Sequence, residues 1–290
     1  MKKSELTHLK SWFADYVSGY YTADSEYNRA IRLKEEHTKR VCNNIVMLGK
    51  SLNISEQELL LAETTALLHD IGRFKQYAVY GTFNDMNSKN HARLGLQQIG
   101  MHKILNVFSK YEKRLVAKAV AYHNAAVLPK AEDENTLFFI RLLRDADKLD
   151  IWKVFIDYYN EREKNPNPII ELGLADEPIC SPQVLQTLKK CKTVRINDLK
   201  TLNDFKLLLT GWAFDLNFVP SFQTLQSHKY LEQLASTLPQ SKEVKEAVKQ
   251  ALDHVIKCSG NFNKEINNES SNCFAGHSRN LVPFTDVYPA

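Results

Sequence analysis

The stretch that decides the fold is LLLAETTALLHDIGRF, residues Leu59–Phe74. Its apolar residues have the length and spacing of a helix, and Gly72 is expected to end that helix. The stretch closes on His69 and Asp70. Imidazole and carboxylate both bind divalent metals, so two adjacent ligands can serve one metal site or bridge two. The pair indicates a metal site only if other histidines and aspartates lie beside it in the folded chain.

The composition of the chain is that of a globular protein with mainly helical structure. It has 290 residues, of which 43% are hydrophobic and 25% charged, and only 10 glycines and 9 prolines. The absence of a run of about 18 apolar residues and of a signal peptide predicts a cytoplasmic protein without a membrane partner. Five scattered cysteines without a CxxC pair argue against a disulfide scaffold and against a structural zinc site. A net charge of +4 is only mildly basic, and this argues against nucleic acid as a partner. The oligomeric state stays open.

Helical spacing predicts an all-α chain. Ser55 and Glu58 have the spacing of a capping box at the start of the helix that reaches His69. Residues 73–90 are less periodic and are expected to form a surface loop, with Ser88 capping a helix that begins at His91. Further helices are predicted at 25–50, 115–123, 137–152, 199–212, 224–238 and 243–256.

Three segments are expected along the chain. Residues 1–160 are predicted to form a helical metal-binding core, and residues 161–258 a helical extension that packs on that core. Residues 259–290 are rich in asparagine and serine and are predicted to be a polar, loosely ordered tail.

Several histidines and aspartates lie on these helices or at their ends. Asp147 falls on the same helical face as Ile140, Leu143 and Ile151, and a lone buried carboxylate is costly unless it is paired or bound to metal. Helices that meet in a bundle can bring such side chains together in the core. The candidate ligands are His37, His69, Asp70, His91, His123 and Asp147.

The order His…His-Asp…His…His…Asp resembles that of the HD-domain superfamily of metal-dependent phosphohydrolases. The local sequences EHTKRV, LLHDIGR, NHARLG and RDADKLD are similar to those of the family as well. The resemblance covers roughly residues 25–155 and implies an all-α HD-domain bundle with additional C-terminal helices.

The resemblance also implies how the ligands are shared. One metal is expected to be held by His37, His69, Asp70 and Asp147. His91 and His123 match members of the superfamily that hold a second metal, with Asp70 as the shared, catalytic ligand. The donors suit two divalent transition-metal ions, of Mn, Fe, Co, Ni or Zn.

The implied activity is hydrolysis of a phosphomonoester or phosphodiester by metal-bound hydroxide. The expected partner is a small-molecule phosphate ester, such as a nucleotide, and Arg73 and Lys148 are candidates to bind its phosphate oxygens. Two alternatives keep the same ligands: a mixed-valent di-iron oxygenase that cleaves C–C or C–P bonds, and a catalytically silent, metal-containing regulatory module.

The substrate is left open by two missing signatures. The chain has no clear Glu-Asp pair of the stringent-response hydrolases, and Asn84-Asp85 occupies part of that region. It also lacks the Gly-Tyr-Pro signature of the subgroup that cleaves cyclic di-GMP, because RFKQY follows the central His-Asp-Ile-Gly.

Overall fold

The computed structural model describes residues 1–164 and 166–260. The regular elements of these residues are helices, and one isolated parallel β-bridge pairs Ala175 with Thr201. The all-α prediction is therefore confirmed. The chain divides into two compact units, Met1–Ile151 and the part that starts at Trp152.

The first unit contains the predicted ligands. Its core is built from fully buried apolar side chains such as Ile45, Leu68, Leu115 and Ile140. Its helices are α1 (Lys3–Ser18), α2 (Ser25–Ser51), α3 (Glu56–Leu68), α4 (Ile71–Tyr80), α5 (His91–Met101), α6 (Lys110–Tyr122) and the start of α7 (Glu134–Glu161).

The junction between α3 and α4 differs from the prediction. Gly72 does not end a helix: α3 ends at Leu68, and α4 begins at Ile71. The expectation of a loop from residue 73 was wrong for residues 73–80, because Ile71 and Phe74 are fully buried and α4 packs closely against α5. A Cβ atom on Gly72 would lie 2.1 Å from the carbonyl oxygen of His91. The glycine is therefore needed for the close approach of two helices.

The N-terminal caps explain where α3 and α5 begin. Ser55 and Glu58 form the predicted capping box at the start of α3. At α5 the prediction of Ser88 was wrong, because Asn90 accepts a hydrogen bond from Arg93 N at 3.0 Å. The Ser88 hydroxyl instead donates to the carbonyl of Asn84 at 2.8 Å.

The second unit contains shorter helices. The predicted helix 224–238 is divided into two, because Lys229 takes up a left-handed backbone conformation with φ of 53°. The helices are α8 (Pro168–Glu171), α9 (Pro182–Lys189), α10 (Leu202–Gly211), α11 (Val219–Ser227), α12 (Tyr230–Ser236) and α13 (Lys242–Cys258).

Two predictions about the second half of the chain stay predictions. The packing of residues 161–258 on the core is one of them, and the division between the units falls inside α7. The loosely ordered tail is the other, since residues 261–290 lie outside the described residues. None of the helices in the described part of the chain combines the length and apolar character of a membrane span.

Candidate metal centre

The six predicted ligands come from six helices or their ends, and their side chains lie together in the first unit. Two of them occupy the junction of α3 and α4, and the others come from α2, α5, α6 and α7. His37 lies within α2, His69 ends α3, Asp70 precedes α4, His91 begins α5, His123 ends α6 and Asp147 lies within α7.

The first group of donors surrounds the Nε2 atom of His37. This atom lies 3.3 Å from Nε2 of His69, 3.1 Å from Oδ1 of Asp147 and 3.6 Å from Oδ2 of Asp70. His69 Nε2 is 3.7 Å from the same Asp70 oxygen and 3.8 Å from Asp147 Oδ1. His37, His69 and Asp70 therefore form one group of converging donors, and Asp147 Oδ1 lies beside its two histidines.

The second group lies on the other side of Asp70. Nε2 of His91 is 2.9 Å from Nε2 of His123. These two nitrogens lie 3.4 and 3.8 Å from Oδ1 of Asp70. The two carboxylate oxygens of Asp70 thus face different groups, Oδ2 the first and Oδ1 the second.

The hydrogen bonds at Nδ1 fix the tautomers of the four histidines. His69 and His123 donate from Nδ1 to carbonyl oxygens of their own helices, at Ala66 and Val120, over 2.7 and 2.8 Å. In the other two histidines Nδ1 faces a carboxylate. His37 donates to Asp150 over 2.6 Å, and His91 donates to Asp85 over 2.7 Å. A neutral imidazole with a proton on Nδ1 carries a lone pair on Nε2. In their neutral forms all four histidines consequently point a lone pair into the centre.

The electrostatics favour the neutral form of three of the four histidines. Burial, and after it the neighbouring histidines, lower the pKa of His123 to about 3. Burial also lowers the pKa of His69 and of His91. Burial lowers the pKa of His37 as well, but the carboxylates beside it outweigh this effect and raise the pKa overall.

The two aspartate ligands are held in the charged form. Burial would raise the pKa of Asp70, but the ammonium of Lys34, the adjacent imidazole and the guanidinium of Arg73 hold it well below its usual range. Burial would also raise the pKa of Asp147, but the neighbouring histidines, His37 first, lower it overall. Both residues therefore present carboxylates, the form that binds metal.

The donor set fits metal ions. Two atoms that each bind one ion at about 2.1 Å can lie at most about 4.2 Å apart, and every distance above is within that limit. Two lone pairs at 2.9 Å, as in the His91–His123 pair, repel each other unless a cation lies between them. Asp147 Oδ1 is buried and has no hydrogen-bond partner among the described residues. Both groups can accordingly hold a divalent metal ion.

A family model described as HD domain matches residues 35–152. This segment is an HD domain. The match begins just before His37 and ends just after Asp150, so it includes all six predicted ligands, and the resemblance noted in the sequence is confirmed. No curated protein and no solved structure matches the chain. HD domains belong to a superfamily of metal-dependent hydrolases.

Three residues around the predicted ligands were missed in the sequence. Asp150 receives the Nδ1–H bond of His37, and Arg40 donates to both Asp150 oxygens, at 2.6 and 3.1 Å. Lys34 Nζ donates to Oδ2 of Asp70 at 2.8 Å. A signal was present, because residues 34, 37 and 40 share one face of α2, as residues 147 and 150 do on α7.

Asp85 was also missed as a contact of the ligands. It lies in a short 3-10 turn, Asp85–Asn87, between α4 and α5, where the sequence predicts only a surface loop. Loop residues follow no helical period, so spacing gave no indication that the side chain of Asp85 reaches His91.

The two candidate phosphate-binding residues lie in different settings. Nη1 of Arg73 lies within 3.1 Å of three acceptors, the Gln76 amide, the Phe83 carbonyl and the Asp85 carboxylate. Its Nε atom lies 3.4 Å from Oδ1 of Asp70. Lys148 follows Asp147 on α7, and its side chain is buried. The phosphate-binding role of both residues stays a prediction.

Proposed function

We propose that this HD domain is a metal-dependent phosphohydrolase that cleaves a phosphomonoester or phosphodiester of a nucleotide or related small molecule at a two-metal centre. The observation that carries the proposal is the pair of donor groups that share Asp70. Each group has two Nε2 lone pairs and its own oxygen of the shared carboxylate. The two groups therefore use no donor atom in common.

The residues take distinct roles in this proposal. His37, His69 and Asp147, with Oδ2 of Asp70, would hold one ion, and His91 and His123, with Oδ1 of Asp70, would hold the other. When bound, two divalent ions supply a water-derived nucleophile near neutral pH and neutralise charge on phosphate oxygens. No serine or cysteine nucleophile is then required of the chain.

The charge balance supports a phosphate substrate. Two divalent ions carry four positive charges, and the carboxylates of Asp70 and Asp147 contribute two negative ones. With neutral histidines, the loaded centre keeps a net charge of about +2. Lys34, whose ammonium lies 2.8 Å from Asp70, adds a further positive charge at the edge of the centre. A phosphate ester of one or two negative charges would be attracted there.

The test combines metal analysis with a substrate screen. Protein purified with and without oxygen is analysed for bound metals, then assayed with panels of phosphomonoesters and phosphodiesters in Mn²⁺, Co²⁺, Ni²⁺ or Fe²⁺. We expect two ions per chain and turnover of a phosphate ester. Two irons with oxygen uptake on a polyol or phosphonate would instead indicate the oxygenase, and absence of any turnover would favour the regulatory module.

The shared ligand gives the mechanistic control. Asp70→Ala removes an oxygen from both groups, so metal binding and turnover should be lost together. Asp15→Asn, which changes an exposed carboxylate on α1, should leave both unchanged. Full turnover by Asp70→Ala would contradict the proposal.

A further inference from the structure

The carboxylate of Asp85 collects contacts from three parts of the HD domain. Its Oδ2 atom accepts the Nδ1–H bond of His91 at 2.7 Å. Its Oδ1 atom accepts hydrogen bonds from Gln76 at 2.8 Å and from Arg73 at 3.1 Å, both on α4. Asn124, the residue after His123, lies 3.4 Å from Oδ2. One loop side chain thus connects α4, the start of α5 and the end of α6.

We propose that Asp85 is a positioning residue whose carboxylate holds the Nδ1–H of His91, so that the second metal position depends on the loop between α4 and α5. This inference rests on the proposed two-metal function and names the residue that controls one of the two positions. Without an acceptor at Nδ1, the His91 ring would be free to rotate and to move its proton to Nε2, where it would block metal binding.

The four histidines differ in how firmly their Nδ1 acceptors are held. The acceptors of His69 and His123 are carbonyls of the helices that the histidines themselves end. The acceptor of His37 is Asp150, in the middle of α7 and 1% exposed. Only His91, among these four, relies on a side chain in a loop. The second group is therefore the one that local loop structure can control.

The loop itself is fixed by one buried side chain. Gln76 is fully buried, and its amide nitrogen donates to the Asp85 carboxylate, the Ser88 hydroxyl and the Lys89 carbonyl, at distances of 2.8 to 3.0 Å. Gln76 lies six residues after Asp70 in α4. The helix that starts at the shared ligand therefore also shapes the loop that orients His91.

Asp85 also supports the start of α5, and the test must separate that contribution. Its Oδ1 atom lies 3.3 Å from the backbone N–H of His91. Asn90, the N-cap of α5, is unsuitable as a control, because its amide nitrogen lies 3.3 Å from Oδ2 of Asp85. Ser109, the N-cap of α6, offers a better one, because its hydroxyl caps that helix through Glu112 N, at the opposite end from His123. Ser109→Ala should lower thermal stability and leave metal affinity unchanged.

The experiment measures Mn²⁺ binding to the metal-free full chain by calorimetric titration. Wild type should bind two ions. In Asp85→Ala one of them should bind 10- to 100-fold more weakly, while the affinity for the other changes less than about 2-fold. Asp85→Asn should fall between these, since its amide oxygen can still accept the Nδ1–H bond. Asp150→Ala, which removes the acceptor of His37, should weaken the other ion instead.

A second measurement does not depend on metal. The tautomer of His91 in the metal-free protein is read from its imidazole nitrogen resonances by NMR, with His91→Gln to assign them. Wild type should show a proton on Nδ1, and Asp85→Ala should show a mixture of tautomers.

Two results would overturn the role of Asp85. One is a wild-type affinity for both ions in Asp85→Ala, and the other is an unchanged His91 tautomer in that variant. A wild type that binds a single ion would instead overturn the proposed two-metal function. The tautomer measurement would then still decide whether Asp85 orients His91.

Discussion

Replacing Gly72 with alanine tests the close approach of α4 and α5 directly. A Cβ atom at this position would lie 2.1 Å from the carbonyl oxygen of His91 and 2.4 Å from the backbone nitrogen of Gly95. Real Cβ atoms essentially never come within 3.0 Å of such atoms, so the backbone of α5 must move by at least about 0.9 Å. Both neighbours are backbone atoms, which no side-chain rotation can relieve.

The cost follows from two opposing effects. Overpacking of this kind costs about 3 kcal/mol, and the higher helix propensity of alanine returns about 1 kcal/mol. The net loss of about 2 kcal/mol should lower the midpoint of thermal unfolding by about 4 to 8 °C in a unit of this size. Because the shift moves His91 away from Asp70, Mn²⁺ binding at the second group should weaken as well.

Gly100→Ala is the matched control. Gly100 also lies in α5, and nothing beyond its own helix backbone comes within 4 Å of its added Cβ in the described part of the chain. This variant should be as stable as wild type or gain up to about 1 kcal/mol. Circular dichroism melts of the metal-free proteins compare the three. A Gly72→Ala midpoint at or above that of wild type would refute the packing of α4 on α5.

Three further predictions concern the surroundings of the ligands. Because the pKa of His123 is about 3 in the folded protein and 6.5 when unperturbed, an unfolded chain binds this proton first as the pH falls. His123 should therefore lower the free energy of unfolding of the metal-free protein by about 2 kcal/mol between pH 7 and pH 5. Urea titrations at both pH values measure this loss, and His123→Gln should lack it. An equal loss of unfolding free energy in wild type and His123→Gln would contradict the prediction. Lys34→Met removes the ammonium that competes with a metal for Oδ2 of Asp70, so calorimetry should show about tenfold tighter Mn²⁺ binding, and weaker binding would refute the competition. Arg40→Met deprives the buried Asp150 of two hydrogen bonds and should cost about 2 kcal/mol in urea unfolding, with partial recovery in Arg40→Lys.

The six predicted ligands lie together because each of them belongs to a helix or to its end. Helical spacing assigns His37 and Asp147 to apolar faces, and burial of those faces turns the polar side chains toward one core. The capping box at Ser55 likewise depends on residues three apart. Features set within one or two helical turns are therefore accessible from sequence.

Features that need contacts between residues far apart in the chain are not accessible from sequence. α4 has 10 residues and is too short to be stable alone, so its formation depends on Ile71 and Phe74 packing in the core. Asp150 and its partners on α2 lie more than 100 residues apart in the sequence, with a separation of 113 from His37. No periodicity in the sequence reports such a pairing.

The phosphate-binding cation is also hard to choose from sequence alone. Proximity in sequence suggests Arg73 and Lys148, but adjacent residues on a helix point about 100° apart, so Lys148 does not share the direction of Asp147. Three acceptors around the loop already occupy Nη1 of Arg73. Lys34 is 36 residues from Asp70, yet its ammonium lies 2.8 Å from the shared carboxylate, with 17% of the side chain exposed. Since a bound metal would take over that carboxylate oxygen, Lys34 would become available to an incoming phosphate, and we expect Lys34→Met to raise KM for the ester.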